Sequence, residues 1–311
     1  MRRIIPSIIA IAAASLATPL LAADWEVGEF RESYPTDWEM PGDVLNFEIG
    51  VRYWYAMGSQ SITAPIGNEH TVSDQSHIIE GHVRIEDDAS SSYLKALAGY
   101  AGLISGSYTT PAAIDADILG GVIGYGQADF GWMPLGDDNF RIGGLVGYQY
   151  WNDSPSMGRA SFITATGGDS EENSFAAQSL RLGVTSKFDF NDMFDLTAEL
   201  AGVPFSWVNG TFGAHDFANI PVGPLIFQKS SATTVNGRLW GGQAELLFGI
   251  HPTEKLTVRV GGRAWYLTGP VEATFSMAEV GNPSNQQGFV QELEDFSLWR
   301  YGAVAELSYR F

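Results

Sequence analysis

The chain has 311 residues, no cysteine and a formal net charge of −19 at pH 7. Without cysteine, no disulfide, thiol nucleophile or thiolate metal site can form. The acidic balance argues against a nucleic-acid partner, because phosphates are bound by basic surfaces. The 36 glycines and the 13% of aromatic residues are typical of close-packed strands flanked by aromatic girdles.

The N-terminus has the features of a cleaved secretory signal. Arg2 and Arg3 form a basic start, residues 4–21 are largely apolar, and Ala22 and Ala23 offer a small-residue cleavage site. A membrane anchor is the alternative, but two prolines in the apolar run favour cleavage. No later stretch has the roughly 18 uninterrupted apolar residues that a spanning helix needs. We therefore expect a signal peptide over residues 1–23.

Beyond this segment, residues 24–43 are acidic and aromatic without a period, which indicates a periplasmic N-terminal extension. From residue 44 onward, apolar and polar residues alternate, so successive side chains point to opposite faces of predicted strands. Eight or twelve strands remain alternatives to ten, because strand ends are placed only to within a few residues. The ten predicted strands cover about 45–58, 77–86, 93–103, 119–134, 140–151, 175–188, 194–207, 238–250, 256–267 and 299–311.

The last predicted strand carries the most specific signal. One of its faces is apolar and aromatic, whereas the other carries Arg300, Glu306 and Arg310. An ordinary edge strand is one reading, but a chain that ends on such a strand with an aromatic, here Phe311, resembles bacterial outer-membrane barrels. In those proteins this ending is an assembly signal. The resemblance implies the barrel-assembly machinery and outer-membrane lipids as partners.

The connections between predicted strands alternate between long and short. Long connections all fall at one end of the predicted barrel and short turns at the other, which is the polarity of outer-membrane barrels. We therefore predict an all-β fold over residues 44–311: a transmembrane, antiparallel, up-and-down β-barrel of about ten strands in the bacterial outer membrane. The five long extracellular loops are predicted at about 59–76, 105–117, 152–174, 210–233 and 268–295.

Charges of both signs fall on the predicted inward faces. A barrel of ten strands leaves little more room than its side chains fill. Mixed charges in so narrow a lumen are expected to pair with each other rather than to line a channel. One histidine among them is more often structural than a proton relay. The predicted charge network comprises Glu48, Arg52, Glu80, His82, Arg84, Glu199, Arg259 and Arg263.

Three segments, 127–132, 139–149 and 251–265, together resemble the omptins, which are outer-membrane proteases with ten strands and five extracellular loops. The segments occur in the order and loop spacing of that family. The resemblance implies endopeptidase activity at the extracellular rim, on a peptide or protein substrate, without a metal or cofactor. It also implies contact with lipopolysaccharide through outward basic residues, although most basic residues here are predicted to face inward.

Omptin catalysis uses an Asp-x-Asp pair from the second loop and an Asp-x-His pair from the fourth. The second loop here contains Asp115 and Asp117, which match the first pair. They share the parity of inward residues on the fourth predicted strand, so both are predicted to face the cleft. Their implied role is to hold the attacking water and the developing hydroxyl. Ordinary solvated loop acids are the alternative interpretation.

The fourth loop matches the second pair only in part. His215 has the parity of Glu199 on the seventh predicted strand and is the counterpart of the general base. Gly213 stands where the family has the orienting aspartate. Asp216 could replace it only if the loop turns its carboxylate back toward His215, since adjacent strand residues point to opposite faces.

Three functions follow from this sequence. The first is an omptin-like endopeptidase that uses Asp115, Asp117 and His215. The second is a non-catalytic barrel that acts in adhesion, surface binding or envelope integrity, and Gly213 favours it. The third is a narrow channel, which the mixed charges of the lumen disfavour.

Overall fold

The computed structural model describes residues 45–64, 68–109, 115–137, 139–156, 174–212, 219–293 and 295–311. The predicted signal peptide and N-terminal extension lie outside them. None of the described segments is a helix long and apolar enough to cross a membrane. The described strands are β1 (Leu45–Ala64), β2 (Asn68–Asp87), β3 (Ser92–Thr109), β4 (Asp115–Ile118), β5 (Gly120–Gly136), β6 (Phe140–Ser156), β7 (Ser174–Asn191), β8 (Phe194–Thr211), β9 (Ile220–Val222), β10 (Leu225–Lys229), β11 (Thr234–Ile250), β12 (Leu256–Thr268), β13 (Val271–Glu279), β14 (Asn282–Leu293) and β15 (Asp295–Arg310).

Ten of these strands close into an antiparallel barrel, as the sequence predicts. Their order is β12, β15, β1, β2, β3, β5, β6, β7, β8 and β11, and β11 pairs with β12 to complete the ring. Four short turns join strands at one end, called the turn end below, and the other five connections, four of them longer, lie at the opposite end, called the loop end. β4 continues the line of β5, whereas β9, β10, β13 and β14 form a sheet beyond the barrel.

The barrel wall is apolar outside and polar inside over the half nearer the turn end. On β1, Val51 is 58% exposed, whereas its neighbour Arg52 is 5% exposed. Phe47 and Ile49 on the same face of β1 are 43% and 50% exposed, and the last residue of the chain, Phe311, is 67% exposed. A belt of exposed apolar side chains is the surface that contact with lipid requires.

This belt makes a test of the lipid-facing surface possible. Val51→Arg is expected to destabilise the barrel by about 2–4 kcal/mol in lipid vesicles, because it places a charge in the hydrocarbon layer. Ser59→Arg lies on the same face of β1, above the belt, and should cost less than about 1 kcal/mol. Urea titrations followed by tryptophan fluorescence would measure both costs, and equal costs would show that Val51 does not face lipid.

The strands continue well beyond the belt, further than predicted. β1 and β2 extend to Ala64 and Asn68 and absorb most of the predicted first loop. Their inward residues stay buried, as Ile62 and Val72 show at 2% exposure each. Their outward residues turn polar, because this part of the wall is above the apolar belt and no longer needs to face lipid. A strand prediction that requires an apolar outer face therefore places the end of the strand too early.

The residue parity that faces the lumen changes along β3, along β8 and between β4 and β5. Two consecutive residues point outward at Gly102 and Leu103 on β3 and at Pro204 and Phe205 on β8. The third change lies between β4 and β5, where Gly121 has a φ of 127° that residues with a side chain rarely adopt. Such bulges insert an extra residue into one strand of a pair. As a result, parity assigned near the turn end does not extend to the loop end in these strands.

Candidate functional site

Toward the turn end, the lumen is filled by ion pairs between strands that are not neighbours. Arg263 on β12 donates to Glu80 on β2 at 2.7 Å and to Glu245 on β11 at 2.6 Å. Arg52 on β1 donates to the same Glu80 at 3.1 Å and lies 3.5 Å from Glu245. These four side chains are at most 12% exposed. Two cations and two anions therefore compensate each other in the middle of the lumen.

A second group of ion pairs lies beside the first. Lys95 on β3 and Arg181 on β7 both donate to Glu199 on β8, each at 2.5 Å. Arg181 also donates to Asp129 on β5 and, at 2.7 Å, to the side-chain oxygen of Gln243. The guanidinium thus uses its planar fork to join three other strands. This group links β3, β5, β7, β8 and β11 across the lumen.

A third group, nearest the turn end, contains potential metal ligands. Glu48, His82 and Glu306 offer ligand atoms that all lie within 4.8 Å of one another. Arg259 donates to Glu48 at 2.8 Å and to Glu306 at 2.6 Å. The guanidinium therefore already neutralises both carboxylates. We interpret this group as an ion-pair cluster, because a divalent cation would have to compete with the arginine it lies against.

The remaining predicted network residue, Arg84, is half-buried near the turn end. Its guanidinium lies 3.9 Å from the centre of the Tyr93 ring and donates to Glu86 at 2.6 Å. A cavity of about 40 Å³ lies among these side chains and the neighbouring ion pairs. That volume holds only a few water molecules. All eight predicted network residues thus lie in one charge-compensated filling of the lumen.

Above the ion pairs, toward the loop end, the lumen is packed with apolar side chains. Trp54, Trp151, Phe175 and Phe296 are fully buried. The rings of Phe175 on β7 and Phe296 on β15 lie 5.2 Å apart, although these strands are not neighbours. Side chains from distant strands thus meet at the barrel axis, so this layer plugs the lumen a second time.

One charged cluster crosses the apolar layer. Arg300 on β15 donates to both carboxylate oxygens of Asp74 on β2, at 3.0 and 2.9 Å, and to Asp153 on β6 at 2.6 Å. All three are at most 3% exposed. A β-carbon at Gly58 would overlap with Asp74 Oδ1 and with the guanidinium, so the glycine leaves room for the pair. The cluster fixes three separate strands to each other.

Of the first predicted catalytic pair, the structure describes the backbone of Asp115 and the side chain of Asp117. Asp115 lies in β4 and pairs with Thr109 in backbone register. Asp117 is exposed, whereas its neighbour Ile118 faces inward at 1% exposure. The prediction that Asp117 shares the inward face of β5 is therefore wrong. The prediction failed because the strand is interrupted between β4 and β5, and this interruption shifts the alternation of inward and outward residues by one position.

The second predicted pair, His215 and Asp216, lies outside the described residues. The parity argument that linked His215 to the inward Glu199 does not hold, because the bulge at Pro204 and Phe205 reverses the alternation. Beyond this bulge even-numbered residues of the strand face inward. A proline in a strand is the sequence signal for such a change.

The sequence analysis missed a buried histidine that lies close to the second and fourth loops. His70, near the loop end of β2, is 4% exposed, and its Nδ1 lies 2.6 Å from the Tyr108 hydroxyl. Its ring packs edge-on against Phe212 at 5.1 Å. Tyr108 pairs with Ala116 on β4, and Phe212 follows β8. Residues at the start of the second loop and of the fourth loop thus both contact His70. The sequence analysis missed this histidine because it lies in the segment predicted to be the first loop.

Comparisons with known proteins identify the fold. Neither a protein-family model nor a curated protein matches the sequence. Among solved structures, the chain is similar to the outer membrane protease OmpT from Escherichia coli, with a TM-score of 0.56 and 11% identity over 86% of this chain and 97% of that one. The translocator domain of the autotransporter NalP from Neisseria meningitidis gives a TM-score of 0.38 at 13% identity, covering 88% and 90% of the two chains. At 11% identity the similarity to OmpT shows the fold alone. The chain accordingly forms a closed antiparallel β-barrel of ten strands with an omptin-like fold.

Proposed function

We propose that this barrel is a sealed, non-catalytic scaffold that acts in surface binding through the loop sheet, defined as β9, β10, β13 and β14. The observation that carries the proposal is that much of the two longest connections forms an ordered sheet above a plugged lumen. β13 pairs with β14 along nearly its whole length, from Val271 and Leu293 to Ala278 and Gln286. On its other side β13 pairs with β11 and β10.

The loop sheet has an apolar core of its own. Phe227 on β10 and Phe275 and Met277 on β13 are at most 4% exposed, and Ile220, Leu225 and Phe289 pack against them. A sheet with three or more strands and one apolar face can be independently stable. Such a sheet presents a rigid surface to extracellular partners, and rigidity lowers the entropic cost of binding.

Two features weaken the endopeptidase alternative. The inward position at the end of β4 belongs to Ile118 rather than Asp117, and Gly213 stands in place of the orienting aspartate. Acid–base catalysis needs its groups within hydrogen-bond reach of one water. A peptidase remains the second candidate for one reason: His70 contacts Tyr108 and Phe212, which lie where the second and fourth loops begin.

The channel alternative predicts conduction, whereas the two layers of packing predict none. Wild-type protein reconstituted in planar bilayers is expected to give no conductance steps, because ion pairs and aromatic rings fill the lumen of the described barrel. Recordings with reproducible steps would contradict a sealed lumen.

A hairpin-trimmed variant tests surface binding directly. Thr274 and Val290 lie directly opposite each other, so an Asn-Gly turn can join them and remove residues 275–289. The trimmed barrel should keep its heat-modifiable gel mobility, since the ring of ten strands is untouched. It should no longer enrich peptides that the full protein selects from a random displayed library. Equal enrichment by both proteins, or by neither, would overturn the proposed function.

A further inference from the structure

The outer edge of β14 has no β-pairing partner among the described residues. Among the described residues β14 pairs only with β13, whereas β13 is paired on both sides. Lower in the wall β15 lies beside β1, but that pairing ends at Thr63 and Asp295. β1 approaches β14 but does not pair with it. Alternate backbone N–H and C=O groups of β14 therefore point to an edge with which no described strand pairs.

This edge lacks the usual protection against pairing. Edge strands are commonly blocked by charged residues, prolines or bulges. No charged residue occurs over 280–291, and Pro283 and the register shift at Ala278 and Glu279 lie at the tip of the hairpin. From Gln286 downward the pairing with β13 is regular, and Val290 is 67% exposed. The edge is thus suited to accept a further strand.

The base of the edge carries a pair of acidic residues. Glu272 on β13 and Glu292 on β14 are both exposed and directly opposite each other. Like charges in this relation are unfavourable. No lysine or arginine occurs over 264–299, a stretch with five acidic residues. A cation on a strand added beside β14 would lie next to Glu292 and relieve the repulsion.

We propose that the β14 edge binds an extended peptide segment by strand addition, and that this segment has an uncharged centre flanked by lysine or arginine. The proposal rests on the proposed role of the loop sheet in surface binding. Main-chain hydrogen bonds to β14 provide affinity, and the basic flanks provide selectivity. A second copy of this chain is a poorer occupant, because it would bring the same acids to the edge. Copies in one membrane also present β14 in the same direction, which prevents antiparallel pairing between them.

The first test uses the full protein in micelles and fluorescent probe peptides with a threonine and valine centre. Peptides flanked by lysine are expected to bind at least about tenfold more tightly than the same centre flanked by glutamate. Two further lysine peptides carry backbone N-methyl groups at odd or at even positions. One of these should lose binding and the other keep it, because only alternate backbone groups face β14. Equal binding of both would overturn strand addition, as would self-association that the peptide does not compete with.

The second test uses charge variants. Glu292→Gln is expected to weaken binding of the lysine peptide by about two- to fivefold, without lowering the unfolding midpoint, because it also removes the like-charge pair. Glu254→Gln, an exposed acid at the turn end, should change neither quantity. Unchanged binding in Glu292→Gln would contradict the proposed contact. Library peptides that are lost on hairpin trimming but are insensitive to N-methylation would overturn strand addition while leaving the proposed function intact.

Discussion

Arg263→Met is expected to destabilise the barrel by about 3–5 kcal/mol, because it leaves Glu80 and Glu245 buried with only part of their compensation. Arg263 donates to both carboxylates, and its guanidinium also lies 5.1 Å from the centre of the Trp54 ring. Methionine retains much of the apolar volume, so the loss reports mainly on charge. The free energy of unfolding can be measured by urea titration in lipid vesicles.

Two further variants separate charge from packing at this position. Arg238→Met removes an outward arginine that lies 6.0 Å from the Trp207 ring and should cost less than about 1 kcal/mol. Adding Glu245→Gln to Arg263→Met should restore part of the lost stability, because one of the two carboxylates that lost a cation is then neutral. A double variant no more stable than the single one would contradict charge compensation in the lumen.

Arg300→Met is expected to cost a similar amount, about 3–5 kcal/mol. The substitution leaves the carboxylates of Asp74 and Asp153 without their cation in an apolar layer. Arg300→Lys keeps the charge but cannot reproduce the planar fork that reaches both acids, so its loss should be intermediate. The same urea titrations, ranked as wild type, lysine and methionine, test this order.

A matched control for Arg300 lies on the same strand. Arg310 is 3.7 Å from Glu48, and its side chain is 32% exposed. Arg310→Met should therefore cost no more than about 1 kcal/mol, as for other exposed ion pairs. If Arg300→Met costs no more than Arg310→Met, the buried cluster does not fix the strands as described.

The sequence predicted the barrel because lipid contact imposes a strict alternation on each strand. The ten strands and their order follow from this alternation, since every outward position in the belt must be apolar. Above the belt the constraint disappears, and polar outward residues such as Ser59 concealed the continuation of β1. β14 was harder still, because most of its side chains are exposed and no face enforces a pattern.

The candidate site was less predictable for a different reason. Odd and even residues keep to opposite faces of a strand only while the pairing is regular. A bulge such as that at Pro204 exchanges the two faces. The orientation of Asp117 could not be read from Asp129 for the same reason. His70 carried a usable signal, since it has the same parity as the buried residues Val72 and Asp74. It was missed because it fell within a segment predicted to be a loop.

Incubation of a mixed peptide library with the refolded barrel in lipopolysaccharide-containing micelles tests the central claim most directly. Mass spectrometry of the same mixture can detect both new peptide termini and intact peptides retained on the protein. A sealed binding scaffold predicts retention of peptides with basic flanks and no new termini. New termini produced by the wild type, and lost in both Asp117→Ala and His215→Ala, would contradict it and establish a peptidase.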